Sequence, residues 1–137
     1  MTPHEGGCLC GQTRYRTRGA PEFSIVCHCR TCQLRTGSAF GFGAYFKDEQ
    51  VEFLSGNRKT YEFNSDESGR WLRTEFCDTC GTTLSWTLEM RPGIRAIAGG
   101  SFDEPGWHQI NRQIWTRSSH DWLAHMDDLP KFKKTVP

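Results

Sequence analysis

Seven cysteines in 137 residues fall into a pattern that few folds can accommodate. Cys27-His28-Cys29-Arg30-Thr31-Cys32 holds three of them as C-x-C-x-x-C; Cys8-Leu9-Cys10 precedes it and Cys77-Asp78-Thr79-Cys80 follows far downstream. Thiolates at such spacing converge on one soft cation, and zinc is the usual intracellular choice. The cysteines divide into four and three. Four thiolates close a tetrahedral structural site, whereas three leave a position for water or substrate. The odd count fits a disulfide framework poorly.

Metal staples also answer a shortage of core. Only 36% of residues are hydrophobic, and nine Phe and five Trp supply much of the burial available. A structural zinc adds about 10–16 kcal/mol to folding. Residues 1–137 are expected to form one domain. With 17 Lys+Arg against 16 Asp+Glu the net charge is +1 and no block of one sign appears, which argues against nucleic acid as the partner. No early apolar run resembles a signal peptide and none is long enough to span a bilayer, so no membrane partner is expected and the cytoplasm, where thiols stay reduced, is the expected location.

Turn residues recur at short intervals, and the segments between them alternate as strands do. Met1 to Glu5 reads as a loose start, and Gly6-Gly7-Cys8-Leu9-Cys10-Gly11 as a glycine-framed turn bringing two sulfurs together. Gln12–Thr17 predicts a strand with Thr13, Tyr15 and Thr17 on one side; Phe23–Val26 predicts a second, running into the cysteine trio. A short helix is predicted over Arg30–Thr36 with Gly37 as its C-cap, its first turn aiming N–H groups at the trio. Phe40–Phe46 predicts a strand with one aromatic face, and Lys47-Asp48-Glu49 a polar turn. Val51–Leu54 and Lys59–Phe63 predict strands around Ser55-Gly56-Asn57. Trp71–Phe76 predicts a strand delivering Cys77 into a zinc-knuckle turn. Thr83–Leu88 and Ile94–Ala98 flank a hairpin signal at Arg91-Pro92-Gly93. Gly99–Pro105 reads as a loop, Gln113–Thr116 as a last strand, Trp122–Met126 as a short helix and Lys131–Pro137 as a solvated end. The fold class is mainly β.

The chain resembles the glutathione-dependent formaldehyde-activating family, also called the centromere-protein-V/Gfa domain. The resemblance lies in Gly7-Cys8-Leu9-Cys10-Gly11, in Cys27-His28-Cys29-Arg30-Thr31-Cys32 with Thr36-Gly37-Ser38-Ala39-Phe40, and in Phe76-Cys77-Asp78-Thr79-Cys80-Gly81. Gly100-Ser101-Phe102-Asp103-Glu104-Pro105, Ile114-Trp115-Thr116-Arg117-Ser118 with Trp122, and Asp128-Leu129-Pro130 continue it. The resemblance implies an Mss4-like fold of small antiparallel sheets stapled by zinc, with short helices. It implies two zinc ions, one structural on Cys8, Cys10, Cys77 and Cys80 and one on Cys27, Cys29 and Cys32. The activity it implies is addition of glutathione to formaldehyde, a carbon–sulfur lyase reaction; fold carries over within a family better than reaction does.

The residues lead part of the way to the same chemistry. A zinc held by three thiolates carries net negative charge and acidifies water weakly, so a soft, deprotonating thiol suits its open position better. A thiolate so held is a nucleophile for an aldehyde carbon. A second reading has His28 folding back to close a structural Cys₃His site. His28 is otherwise a candidate proton relay or a packing imidazole. Arg30 and Arg117 are candidates to hold a substrate carboxylate, Trp115 and Trp122 to wall the cleft, and Gly37 and Ser38 to line its mouth; each has a plainer reading as solvated charge, core ring or helix cap. Two functions follow: a zinc lyase acting on adducts of a thiol with a small aldehyde, or a non-catalytic zinc module that binds a protein, a thiol metabolite or chromatin.

Overall fold

In the computed structural model, which describes residues 1–66 and 68–136, two β-sheets account for most of the regular structure. The elements in chain order are β1 Pro3–Gly7, β2 Arg14–Arg18, β3 Phe23–Cys27, α1 Arg30–Thr36, β4 Gly41–Lys47, β5 Val51–Ser55, β6 Arg58–Asn64, β7 Trp71–Cys77, β8 Thr83–Leu88, β9 Ile94–Ala98 and β10 Arg112–Ile114. Segments of 3₁₀ helix lie at Asp48–Gln50, Gly99–Ser101, Thr116–Ser118 and Asp121–Asp128. The small sheet has the order β1-β2-β5, the large one β10-β3-β4-β9-β8-β7-β6. Neighbours are antiparallel except β10, which runs parallel to β3. The mainly β class expected from the sequence is the one adopted.

Around β4 the large sheet is apolar on both faces. On β4, Ala44 and Phe46 point to one side, where Tyr15, Leu84, Ile97 and Phe102 complete a core beneath the small sheet. Burying Phe46 fully contributes about 1.5–3 kcal/mol. Tyr45 points to the other side and packs with Ile25, Cys27, Trp86 and Ala96. The expected single aromatic face is thus one of two buried faces. Leu84 reaches the first core through a bulge. Glu75 pairs with Ser85 and Phe76 with Thr83, so Leu84 is skipped and turned over.

Thr13, Tyr15 and Thr17 are all fully buried, as their alternation requires. The Tyr15 hydroxyl lies 2.8 Å from Ser101 Oγ. The strands on either side of Ser55-Gly56-Asn57 enter different sheets, β5 beside β2 and β6 beside β7. Gly56 makes this crossing at φ 81°, and a Cβ there would stand 2.6 Å from Thr13 Cα. Arg91-Pro92-Gly93 joins β8 to β9 as the hairpin it predicts.

Two expectations are corrected. Met1–Glu5 is not a loose start: β1 begins at Pro3 and pairs along its whole length with β2. Its Pro-His-Glu-Gly-Gly sequence carries no alternation, and backbone pairing holds it, with His4 stacked on Trp107 at 3.7 Å. The last strand starts at Arg112 and stops at Ile114, because Trp115 takes φ 56° and Thr116 opens a helical turn.

Beneath the small sheet, Glu75 accepts hydrogen bonds from Arg95, Arg58 and Ser85 Oγ. Its side chain is 15% exposed. The Arg58 guanidinium lies 3.4 Å from the Phe53 ring centre. Removing Glu75 leaves Arg58 without its carboxylate beside Arg95, which keeps only Asp48, in a partly buried site. Glu75→Ala is therefore expected to lower the unfolding free energy in urea by about 2–3 kcal/mol, whereas Glu62→Ala, which breaks the exposed pair with Arg73, costs about 0.5 kcal/mol or less.

Candidate functional site

The chain gathers its cysteines into two clusters, Cys8, Cys10, Cys77 and Cys80 in one and Cys27, Cys29 and Cys32 in the other; within each, all sulfurs lie within 4.8 Å of one another. Both clusters can hold a metal ion.

The first cluster joins two turns, one between β1 and β2 and one between β7 and β8. Sulfurs on a tetrahedral zinc with bonds of about 2.3 Å stand about 3.8 Å apart. Cys10 lies 3.8 Å from Cys77 and 3.5 Å from Cys8, so the four fit that ion. Backbone N–H groups already point at these sulfurs, Thr13 N at Cys8 Sγ (3.3 Å) and Thr79 N at Cys77 Sγ (3.4 Å). The Thr82 hydroxyl, 3.2 Å from Cys80 Sγ, is the main influence drawing the Cys80 thiol down to about 5. Around the cluster, Leu9 N donates to Thr82 Oγ1 and Thr79 Oγ1 to Gln12 Oε1, so the turns are zipped together beside the sulfurs.

The trio is built differently. Cys27 ends β3, Cys29 is the N-cap of α1 and Cys32 lies in that helix. Cys29 Sγ accepts the backbone N–H of Cys32 at 3.3 Å, so the expected helix start aims its amide at a sulfur. Hydrogen bonds from Cys27 and then Cys32 hold the Cys29 thiol down to about 2, while bonding to Cys29 drives the Cys27 thiol far above its ordinary value. The helix ends at Gly37 with φ 66°.

His28 does not join the trio. It is 3% exposed, its Nε2 lies 2.9 Å from Gln113 Oε1, and its ring meets Phe40 edge-on. Among the described residues no other His, Cys, Asp or Glu groups with the three sulfurs. Backbone direction explains this: along extended chain, His28 points away from the side taken by Cys27 and Cys29.

A cavity of ≈ 470 Å³ is bounded by Arg35, Ser38, Gly41, Phe42, Thr82 and Gly99 among others; none of the three trio cysteines lines it, and it meets the trio through Arg35, whose Nη2 is 4.0 Å from Cys32 Sγ. Ser38 lines it; Gly37, the helix cap, is exposed and is not among the lining residues. Trp115, Arg117 and Trp122 lie outside its walls, on the segment after β10. Trp115 and Trp122 are exposed, and Arg117 lies over the Trp115 ring. Arg30, also exposed, donates to Gln33 Oε1.

Two residues that the sequence reading passed over are central here. Arg35 lies with its guanidinium carbon 3.9 Å from the Trp86 ring centre, and its Nη2 is 4.0 Å from Cys32 Sγ. Gln33 is buried; its Nε2 donates to the carbonyls of His28 (2.9 Å) and Ser118 (3.2 Å), and its Oε1 lies 3.1 Å from His120 Nε2. It fastens the helix to the chain on both sides. The signal for Arg35 was its spacing: residues three apart on a helix share a face, which puts Arg35 beside Cys32.

The glutathione-dependent formaldehyde-activating enzyme family matches residues 3–118. The chain belongs to that family. The stretch matched by this GFA family contains both cysteine clusters and the cavity. A crystal structure of a Rhodobacter sphaeroides protein superposes on this GFA chain with a TM-score of 0.61, covering 80% of this chain and 98% of that one; at 16% identity the likeness is one of fold. No curated protein matches the sequence. Among the described residues no helix is long and apolar enough to cross a membrane.

The two clusters are expected to respond unequally to substitution. Cys77→Ser removes a sulfur joining two sheets, and most of the protein should appear in the insoluble fraction, since a structural metal supplies folding free energy directly. Cys29→Ser keeps an oxygen able to cap α1 and should remain soluble with unchanged far-ultraviolet circular dichroism while losing one metal equivalent. Equal loss of fold in both variants would make the trio structural.

Proposed function

We propose that this GFA member is a zinc-dependent carbon–sulfur lyase that joins a glutathione-like thiol to formaldehyde or another small aldehyde, with Cys8, Cys10, Cys77 and Cys80 holding a structural zinc and Cys27, Cys29 and Cys32 an open one. One observation carries the reading: three sulfurs within 4.8 Å of one another, with no fourth protein ligand grouped with them among the described residues, lie next to Arg35 and Gly41, which border a cavity of ≈ 470 Å³. That volume lies in the range that small-molecule sites occupy. A closed structural site would need a fourth ligand from the chain, and His28, its nearest candidate in sequence, is tied to Gln113 instead.

A zinc ion on the trio would supply an open position that holds a substrate thiol as its thiolate. The net reaction is addition: the substrate sulfur forms a bond to the carbonyl carbon, the carbonyl π pair moves to oxygen, and that oxygen takes the proton the thiol gave up. No oxidant or reductant is needed. The chain's own part is placement. Gln33 and the parallel pairing of β10 with β3 fix the backbone that carries the three sulfurs. Gly41, Phe42 and Gly99 give the cavity a floor of strand ends, and Ser38 and Thr82 offer it hydroxyl groups. His28 takes a packing role: it is buried between Phe40 and Gln113 and braces the turn between Cys27 and Cys29.

The freshly purified, reduced protein is expected to contain two zinc equivalents, one leaving early during slow chelation while the fold persists. Glutathione binding should release a proton near neutral pH, since a free thiol has a pKa of about 8.5. Calorimetry in buffers of different ionisation enthalpy measures that release. With cobalt at the trio, added glutathione should raise sulfur-to-metal charge-transfer absorption, and S-methylglutathione, which has no thiol proton to lose, should not. If both compounds bind alike and the spectrum stays still, the trio is not the thiol site and a non-catalytic zinc module takes the place of the enzyme.

A further inference from the structure

We propose that Arg35, laid on Trp86 beside the trio, recognises a carboxylate on the substrate, so that the site selects anionic thiols over neutral ones. The proposal rests on the reading of the trio as the thiol site and adds to it the chemical class of the thiol.

Charge makes such a residue necessary. A zinc ion bound by three thiolates is a net anion, and a second anion approaching it is repelled. An anionic thiol can dock there only if a cation stands close by. Arg35 is that cation: it lines the cavity, and its Nη2 is 4.0 Å from Cys32 Sγ. Arg14, Arg16, Arg58, Arg73 and Arg95 each pair with an acidic side chain. Arg35 pairs with none among the described residues; its partners are Cys32 and the Trp86 ring. Its fork of N–H donors matches a carboxylate in shape as well as charge.

The surroundings hold the guanidinium in place. Trp86 is 7% exposed, and its indole N–H donates to Tyr45 Oη at 3.1 Å, which fixes the ring on which Arg35 lies. Gly41 leaves the room on the other side: a Cβ there would stand 2.5 Å from Arg35 Nη2 and 3.5 Å from Cys32 Sγ. A cation stacked on a fixed ring has lost much of its side-chain freedom before ligand arrives, so less is lost on binding. Glutathione, with carboxylates at both ends, belongs to the selected class, and so does any short thiol acid.

The experiment compares two small thiols of similar length, 3-mercaptopropionate and 2-mercaptoethanol, titrated calorimetrically into the zinc-loaded protein, with metal content measured in every sample. The wild type is expected to bind the thiol acid about tenfold more tightly, the scale of a charge-assisted hydrogen bond in a partly wet site. Arg35→Met keeps a stem over Trp86 and loses the charge, and should bring the ratio of the two Kd values to about one. Arg35→Lys keeps the charge without the fork and should hold an intermediate ratio, which retains a test should the methionine variant fail to fold. Raising potassium chloride should shrink the wild-type ratio. A wild-type ratio near one, a ratio unmoved by Arg35→Met, or equal weakening of both thiols together with loss of one zinc overturns the proposal; the last of these makes Arg35 a counter-charge for the trio. If neither thiol binds the wild type, the thiol-site reading falls first and the proposal with it, an outcome distinct from binding without preference.

Discussion

Four sulfurs from two distant turns set the conditions for everything else in this protein. Cys10 and Cys77 are 67 residues apart in sequence and 3.8 Å apart in space. Closing so long a loop costs entropy that grows slowly with length, so one strong tie at its neck is an effective use of a metal. The tie also has a direction. The β1–β2 turn belongs to the small sheet and the β7–β8 turn to the large one, so the cluster clamps one layer over the other. Tyr15, Phe46, Leu84 and Ile97 are fully buried between them. A metal held there would keep the layers from sliding apart, so that a small apolar fraction would suffice. The same turn supplies Thr82 and Gly81 to the wall of the cavity that Arg35 and Gly41 border, so the first cluster's turn helps to shape the surroundings of the second.

The trio needs no such reach. Its sulfurs come from one short stretch, and the difficulty is stiffness. A helix of seven residues is unstable alone, because nucleation costs more than so few hydrogen bonds return. Here Cys29 caps it, Gly37 ends it and Gln33 anchors it to His28 and Ser118. Gln33 is an uncommon residue to bury, and it is acceptable because both ends of its amide are engaged. On the other side, β10 runs parallel beside β3, with the His28 N–H bonded to the Ile114 carbonyl. The C-terminal third of the chain thus holds the trio in place.

The legible parts of the sequence are those whose signal is local. Both cysteine clusters, the helix over Arg30–Thr36 and the β8–β9 hairpin follow from spacing, capping and turn chemistry. β1 was hidden because pairing with β2, and no side-chain pattern, makes it a strand. The end of β10 was hidden because a positive φ at Trp115 has no signature in a bulky residue. Among site residues, Arg30 and Arg117 drew notice by adjacency to cysteines and tryptophans, yet neither borders the cavity. Arg35 does, since helical geometry carries it back over Cys32 while Arg30 at the helix start turns to Gln33. Helix periodicity applied to the charged residues as well as the cysteines would have found it.

The same geometry decides what three sulfurs beside a cavity are suited to. Cys27 and Cys29 lie two apart along extended chain and share a side, and the first turn of α1 brings Cys32 round to meet them. His28 is thereby sent to the opposite side, into a pocket formed by Phe40 and Gln113. Closing the site from within would require turning that imidazole through the strand and breaking its 2.9 Å bond to Gln113. Bringing a carboxylate in from elsewhere would place another anion beside three thiolates. A charged neighbour of the trio is Arg35, a cation that cannot ligate a metal. A cluster with a histidine bound to Gln113 on one side and a cation on the other is poorly suited to closing with a residue of its own chain. It is well suited to a ligand from solution that brings its own sulfur and, at a short distance from it, a negative charge.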